Sequence, residues 1–585
     1  MPGISPTLFS RPDRCTAVLG SYDALVRREA AALEKIHVAQ RLWAKDATLW
    51  SADPAVQRTI AQRLGWLTLP VAMAAHAGEL TTWAASVASS GIADIVLLGM
   101  GGSSLCPEVC RLIIGSAEGA PNLTVLDTTD PSTILQVERR LDLRRTLFLV
   151  ASKSGTTIEV DALDRYFAEK VRAVVGKAAG GHFIAITDPG TPLERQAKEE
   201  GYHRCFLNPA DVGGRFSALS YFGLVPAALM GINVQAFLDR AVQMVRLCQE
   251  PTVEQNSGVW LGLILGVLAK AGRDKVTLVP SPALRGLGLW VEQLVAESTG
   301  KEGKGLVPVD GEGVGTPETY GADRLFVSLE LEGELQGEAQ AARQAQLDAL
   351  CHAGHPLIRL GFRDSLDLAG EFFRWEVATA IAGMVLGVNP FDEPNVTESK
   401  ENTGRLLAQS VDEGRLPARQ AALLEQGLRL FAPSGRAPGG SFTEAVWSFL
   451  RQAGAADYVA LLAYLPRSDG HDAALQAIRR AIHDRLRVAT TVGYGPRYLH
   501  STGQLHKGGD GRGLFLLITS DEREDAPIPG RPYSFGLLKR AQALGDEAAL
   551  AGKGRRVLRL HLGPSVDVEL ARLAQLLAGD AAGQS

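Results

Sequence analysis

The stretch SKSGTTIEV, residues 152–160, packs Ser152, Lys153, Ser154, Thr156 and Thr157 into six positions at the end of an apolar run. Hydroxyls and unpaired backbone N–H groups at a helix start cradle a phosphate monoester, whereas an ordinary N-cap needs one such residue, not four. A similar strand end occurs at VLLGMGGSSLCPEV, residues 96–109, where the apolar run stops at Gly99 and Gly101, Gly102 and Ser103 follow. It lacks the lysine of a nucleotide P-loop and misses the dinucleotide glycine spacing. It reads either as a tight turn or as a loop whose N–H groups reach an anion. In GGRFSALS, residues 213–220, Arg215 follows Gly213 and Gly214, so a permanently charged guanidinium can lie close to a substrate and face developing negative charge. A surface ion pair is its simpler fate. WVEQLVAESTGK, residues 290–301, brings Glu297 to the end of a helical pattern among apolar neighbours, which suits a general base with a tuned pKa; a solvated carboxylate is the alternative. In NPFDEPNVTESK, residues 389–400, Pro390 and Pro394 fix the entry to a helix that carries Lys400.

These residues need elements to hold them. ADIVLLGMG (93–101), TLFLVASKS (146–154), HFIAITDPG (182–190) and KVTLVPSP (275–282) each read as a buried strand ending in small or turn-forming residues. Helical patterns such as DALDRYFAEKVRAVVG (161–176) lie between them. The alternation predicts βαβ units, an α/β fold with doubly wound parallel sheets. Residues 23–90 read as mostly helical. A second alternating block begins at RLFVSLELEG near 324, and a third rhythm, DYVALLAYLP, VATTVGYG and GLFLLITSD, follows the Pro/Gly-rich APSGRAPGG (432–440), read as a linker or exposed loop. The expected units are a helical arm over 1–90, α/β units over 91–270 and 271–430, and a C-terminal α/β block over 441–585, an insertion or permuted part of the second unit.

The 585 residues carry 46% hydrophobic and 21% charged residues with a formal net charge of −5, an ordinary globular balance that argues against nucleic-acid binding. No apolar run of about 18 residues predicts a membrane span, and MPGISPTLFSRPDRC lacks the pattern of a secretory signal. Six cysteines are too sparse for a disulfide scaffold, and Cys106 and Cys110 have no partner cluster for zinc. A reduced, cytoplasmic setting is expected.

In this order, GMGGSS, SKSGTT, GGRFS, ESTGK and NPFDEPNVTESK resemble the signatures of the phosphoglucose isomerase family, over roughly residues 90–405. The lead-in RLWAKDATLWSADPAVQRTIAQRLGWL and the C-terminal block resemble the isomerase half of transaldolase–isomerase fusions, although no transaldolase barrel is visible. The resemblance implies two sugar-isomerase (SIS-type) subdomains and interconversion of glucose 6-phosphate and fructose 6-phosphate without metal or organic cofactor. It also leaves open a homodimer and an association with transaldolase. By similarity Ser152, Ser154, Thr156 and Thr157 hold the phosphate, Gly102 and Ser103 line the sugar, and Lys153, Gly214 and Glu393 are further substrate-binding residues. Glu297 moves the C2 proton to C1, Arg215 stabilises the cis-enediolate, and Lys400 assists ring opening. Two rival readings are a dual phosphoglucose/phosphomannose isomerase and a non-catalytic sugar-phosphate sensor, which would have no use for Glu297, Arg215 and Lys400 together.

The chain departs from the family at three places. Glu393 replaces the usual glutamine, and pairing with Lys400 is the expected relief for its charge. Thr299 stands where many members have asparagine. The ring-opening histidine is expected between the Glu and Lys motifs, often across a dimer interface, where His352 and His355 stand. Yet GPRYLHSTGQLHKGG (495–509), with His500, Gln504 and His506, looks more like the family's histidine loop. His500 is the expected residue, with His352 second.

Overall fold

The computed structural model describes residues 12–395, 397–417, 419–432 and 440–579. The expected linker at 432–440 therefore lies, apart from its two ends, outside the described residues.

Short aliphatic runs alternate with amphipathic helices, and the runs assemble into three separate sheets. The first holds five parallel strands, ordered across the sheet as Asn122–Leu126, Asp94–Gly99, Thr146–Ala151, Phe183–Thr187 and Arg204–Leu207. The strand order reverses between Asp94–Gly99 and Thr146–Ala151. In such sheets the crevice beyond the carboxyl ends at the reversal receives ligands. Gly99 pairs in register with Ala151, so GMGGSS and SKSGTT leave the sheet side by side.

The second sheet runs Val307–Val309, Lys275–Pro280, Arg324–Leu331 and Leu357–Phe362 in parallel. Cys15–Val18 closes its far edge antiparallel to Leu357–Phe362, a strand from the region that reads as a helical arm. The arm is otherwise helical, from Asp23–Lys35 to Ala77–Ser89.

The third sheet has a parallel core of Ala489–Tyr494, Tyr458–Tyr464, Gly513–Ser520 and Arg556–Leu562. The antiparallel strands Leu428–Phe431 and Leu423–Glu425 extend it. Among the described residues its strands pair with one another and none joins the second sheet, and the third sheet begins at Leu423. Counted in chain order, the first four parallel strands of each sheet take the same sequence, second, first, third, fourth.

The helices Ser257–Lys270 and Leu368–Leu386 pack closely across the expected boundary at 270. Gly258, Gly262 and Gly266 form a stripe at four-residue spacing. β-Carbons there would sit 2.5 Å from Val377, 2.3 Å from the Ala378 carbonyl and 2.7 Å from Val385. Bare glycines let the two axes approach.

Candidate active site

A cavity of about 640 Å³ opens at the strand-order reversal of the first sheet. Gly102 and Ser103 line it from one loop, and Lys153, Ser154 and Thr157 from the next. Gly214, Arg215, Glu297, Glu393, Lys400 and His500 complete the wall. Residues from five motifs and the C-terminal block thus meet in one space. Ser152 and Thr156 are not among the residues facing it. Ser152 is buried and braces the loop, its hydroxyl 3.0 Å from Thr157 Oγ1 and accepting from the Gly155 N–H. Thr156 lines a smaller adjoining space of about 230 Å³ together with Lys507 and Gln542.

The glycines make this convergence sterically feasible. A β-carbon on Gly102 would lie 1.9 Å from the Gly214 carbonyl oxygen. Gly101 has φ +54°, and a β-carbon there would meet Gln293 at 2.7 Å and the His500 carbonyl at 3.0 Å. The bare backbone of GMGGSS is where the arginine loop, the glutamate helix and the histidine turn close on one another.

Glu297 sits in the last turn of the helix Gly288–Thr299. Its Oε2 accepts from Gln293 one turn earlier at 3.1 Å, and its Oε1 lies 3.5 Å from Arg215. Burial and the nearby Glu393 carboxylate hold Glu297 above the ordinary glutamate range, against the pull of Arg215. Arg215 is itself buried and tightly held. Nε donates to Ser298 at 2.8 Å, and Nη2 donates to the carbonyls of Pro390 and Asp392 at 2.8 and 2.7 Å. Nη1 donates to Glu393 at 2.9 Å.

The partner of Glu393 is therefore Arg215 and not Lys400, because the Pro390–Pro394 turn wraps the guanidinium while Lys400 stands on the helix that follows, Thr397–Glu413. Burial opposes ionisation of Glu393, but Arg215 outweighs it and holds the carboxyl below its usual range. Lys301 completes the cluster: it donates to Asp392 Oδ1 at 2.8 Å, and burial beside Arg215 brings its ammonium down to about 8. The Thr299 hydroxyl donates to the Val295 carbonyl and accepts from the Leu306 N–H, tying the helix end to the next segment.

His500 Nε2 lies 3.0 Å from Glu159 Oε1. Burial would raise the Glu159 pKa, yet His500 and then Lys400 hold it below the usual glutamate range. An ionised carboxylate only accepts, so Nε2 carries the hydrogen and Nδ1 is the nitrogen that remains to take up a proton. The other histidines stand elsewhere. His352 caps its own helix turn through the Asp348 carbonyl. His355 packs against Arg273, Tyr320 and Phe326 in the second unit. His506 is buried among Tyr458, Tyr498 and Phe515, which lowers its pKa to about 3. Gln504 links the histidine loop to both other motifs, donating to the Gly300 carbonyl and exchanging hydrogen bonds with Asn395.

Sequence reasoning missed Glu159, Gln293, Lys301 and Arg63. Two signals were present: Gln293 lies four residues before Glu297 on one helix face, and Glu159 opens the helix after SKSGTT. Arg63, from the helical arm, lines the cavity with no sequence mark. Lys153 faces the cavity but forms an ion pair with Asp188, so part of its charge is spent.

Comparison with known proteins identifies relatives of this chain. A profile of the family described as phosphoglucose isomerase matches residues 71–315. A glucose-6-phosphate isomerase of Rubrobacter xylanophilus is 30% identical over 364 residues, covering 54% of this chain and 83% of that protein. A glucose-6-phosphate isomerase of Methanocaldococcus jannaschii is 26% identical over 351 residues, covering 55% of this chain and 86% of that protein. Among solved structures, a hypothetical protein of Thermus thermophilus superposes with a TM-score of 0.58 at 26% identity, over 67% of this chain and all of that one.

Proposed function

Because this chain belongs to the phosphoglucose isomerase family, we propose that it is an aldose–ketose isomerase interconverting glucose 6-phosphate and fructose 6-phosphate. The observation that carries this reading is one cavity lined by a buried carboxylate, a buried guanidinium, a histidine backed by the Glu159 carboxylate and the hydroxyls of a strand end. A sensor module has no use for the first three.

The phosphoryl group sits at Ser154 and Thr157, where the helix Ile158–Val175 begins and its positive end favours an anion. His500, oriented by Glu159, and Lys400 move the proton that opens the ring. Glu297 then takes the C2 proton and returns it at C1. Its raised pKa makes it a stronger base than a solvated glutamate, and Gln293 keeps one oxygen aligned. Negative charge that builds on the C1 and C2 oxygens faces Arg215, whose position is fixed by four hydrogen bonds before substrate arrives.

Glu297→Gln removes the base and keeps the shape. It should lower turnover of fructose 6-phosphate in a coupled assay by about 10²–10⁴-fold while sugar-phosphate affinity, measured by calorimetry, stays close to wild type. Near-normal turnover in this variant would sink the mechanism.

A further inference from the structure

A second cavity, of about 410 Å³, lies where the three units meet, within the size range of small-molecule sites. Two thin partitions separate it from the catalytic cavity. The helix Gly288–Thr299 shows Leu289 and Glu292 to this cavity and Gln293 and Glu297 to the other. The turn Arg497–His500 shows Arg497 and Tyr498 to this cavity and His500 to the other.

Four guanidinium groups line it: Arg285, Arg467, Arg479 and Arg497. Arg497 is paired with Asp127 at 2.5 Å, and Arg467 with Asp472 at 3.4 Å. Arg285 is exposed at the mouth and has no ion pair among the described residues. Arg479 is buried and held by the Thr490 hydroxyl and carbonyl. Against them stand Glu292, Asp310 and Asp472. Glu292 has no hydrogen bond among the described residues, and Asp310 Oδ1 is buried without a partner. Four guanidinium groups thus face three carboxyl groups in the lining, and burial together with the nearby Asp310 pushes Glu292 up to about 8 while burial pushes Asp310 up to about 6, which weakens the negative side further.

We propose that this junction cavity binds a hydroxylated phosphate monoester, its phosphoryl group among the arginines and its hydroxyls on Glu292 and Asp310, and that occupancy shifts the turn carrying His500. The binding claim stands without the isomerase reading; the effect on turnover rests on it.

The probes are glycerol 3-phosphate and inorganic phosphate, titrated calorimetrically into the full chain, with glycerol as control. Wild type should show two binding events, one of which weakens more than about tenfold in Arg285→Glu and in the milder Arg285→Ala, while turnover without effector is unchanged. Glycerol 3-phosphate should lower kcat as well as raise KM in wild type, and act on KM alone in Arg285→Glu. A single event in wild type, or two events untouched by both substitutions, would overturn the site. Two events with no effect on kcat would overturn the coupling. An inactive chain that still shows both events would overturn the isomerase reading and leave the second site standing.

Discussion

Arg215 spends its donors on the protein before any substrate arrives. Nε and both Nη2 hydrogens are committed to Ser298, Pro390 and Asp392, and one Nη1 hydrogen to Glu393. For the enediolate of the proposed mechanism there remain the other Nη1 hydrogen and the guanidinium charge, already shared between Glu297 and Glu393. A glutamine at 393, the residue the family resemblance leads one to expect, would keep the hydrogen bond and remove the second negative charge. Glu393→Gln should therefore raise kcat by up to about tenfold, since each 1.36 kcal/mol is about tenfold in rate and a single hydrogen-bonded charge is worth about that much. The pH profile should move too. Glu393 is one cause of the raised Glu297 pKa, so its removal lowers that pKa. In the proposed mechanism Glu297 must be ionised to act, so activity is lost as pH falls through its pKa, and the acid limb of kcat/KM should shift to lower pH in the variant. An acid limb that moves upward would show that Glu393 does not act on Glu297 through charge.

Close approach of backbones decides two further outcomes. Gly102→Ala must move the Gly214 carbonyl, which would stand 1.9 Å from the new methyl. Displacing the arginine loop by an ångström is expected to cost about 10²-fold in kcat/KM with little change in melting temperature, since the loops are at a cavity edge. Gly262→Ala has the reverse signature. Its methyl would meet the Ala378 carbonyl at 2.3 Å between two buried helices, an overpacking worth about 1–3 kcal/mol, read as a lower denaturation midpoint with KM retained. Both glycines look alike in the sequence, and only the helix partner distinguishes them. The strands and their loops were legible because apolar runs ending in Gly, Ser or Pro have one physical meaning, and the motifs sit at those ends. The pairing of His500 with Glu159, 341 residues apart, was not legible, nor was Arg63 in the wall or Cys15–Val18 as an edge strand. Those depend on which units dock, and periodicity within a segment holds no information about docking.

Three α/β units with one strand order form one body because the first shares an apolar cluster with each of the other two: Ile95 and Leu97 pack in one cluster with Leu278 and Leu325 of the second unit, and the third unit docks likewise. Phe535, Leu538 and Ala541 on the helix Phe535–Gly552, with Ala526 and Ile528, pack into the same apolar cluster as Val96, Phe148 and Phe167 of the first unit. Tyr166 and Phe535 meet edge to face with ring centroids 5.6 Å apart. Buried polar contacts fix the register of this docking: Lys539 pairs with Asp130 at 2.9 Å, and Thr129 donates to Gln542 at 2.7 Å. Gln542 in turn donates to Glu159 at 2.8 Å, the carboxylate that orients His500. His500, Glu159, Glu297 and Arg215 thus meet within one polypeptide among the described residues, and under the proposed mechanism each chain supplies its own site. Specific activity should stay constant when the protein is diluted from about micromolar to about nanomolar concentrations, a range in which many subunit pairs dissociate. A sharper check mixes two inactive variants, His500→Ala and Glu297→Gln, after joint unfolding and refolding. If sites formed between chains, random pairing in a two-fold dimer would restore about a quarter of wild-type activity. With both residues supplied by the same chain, the mixture should remain as inactive as either variant alone, and recovery of activity would mean that the third unit docks on a neighbour.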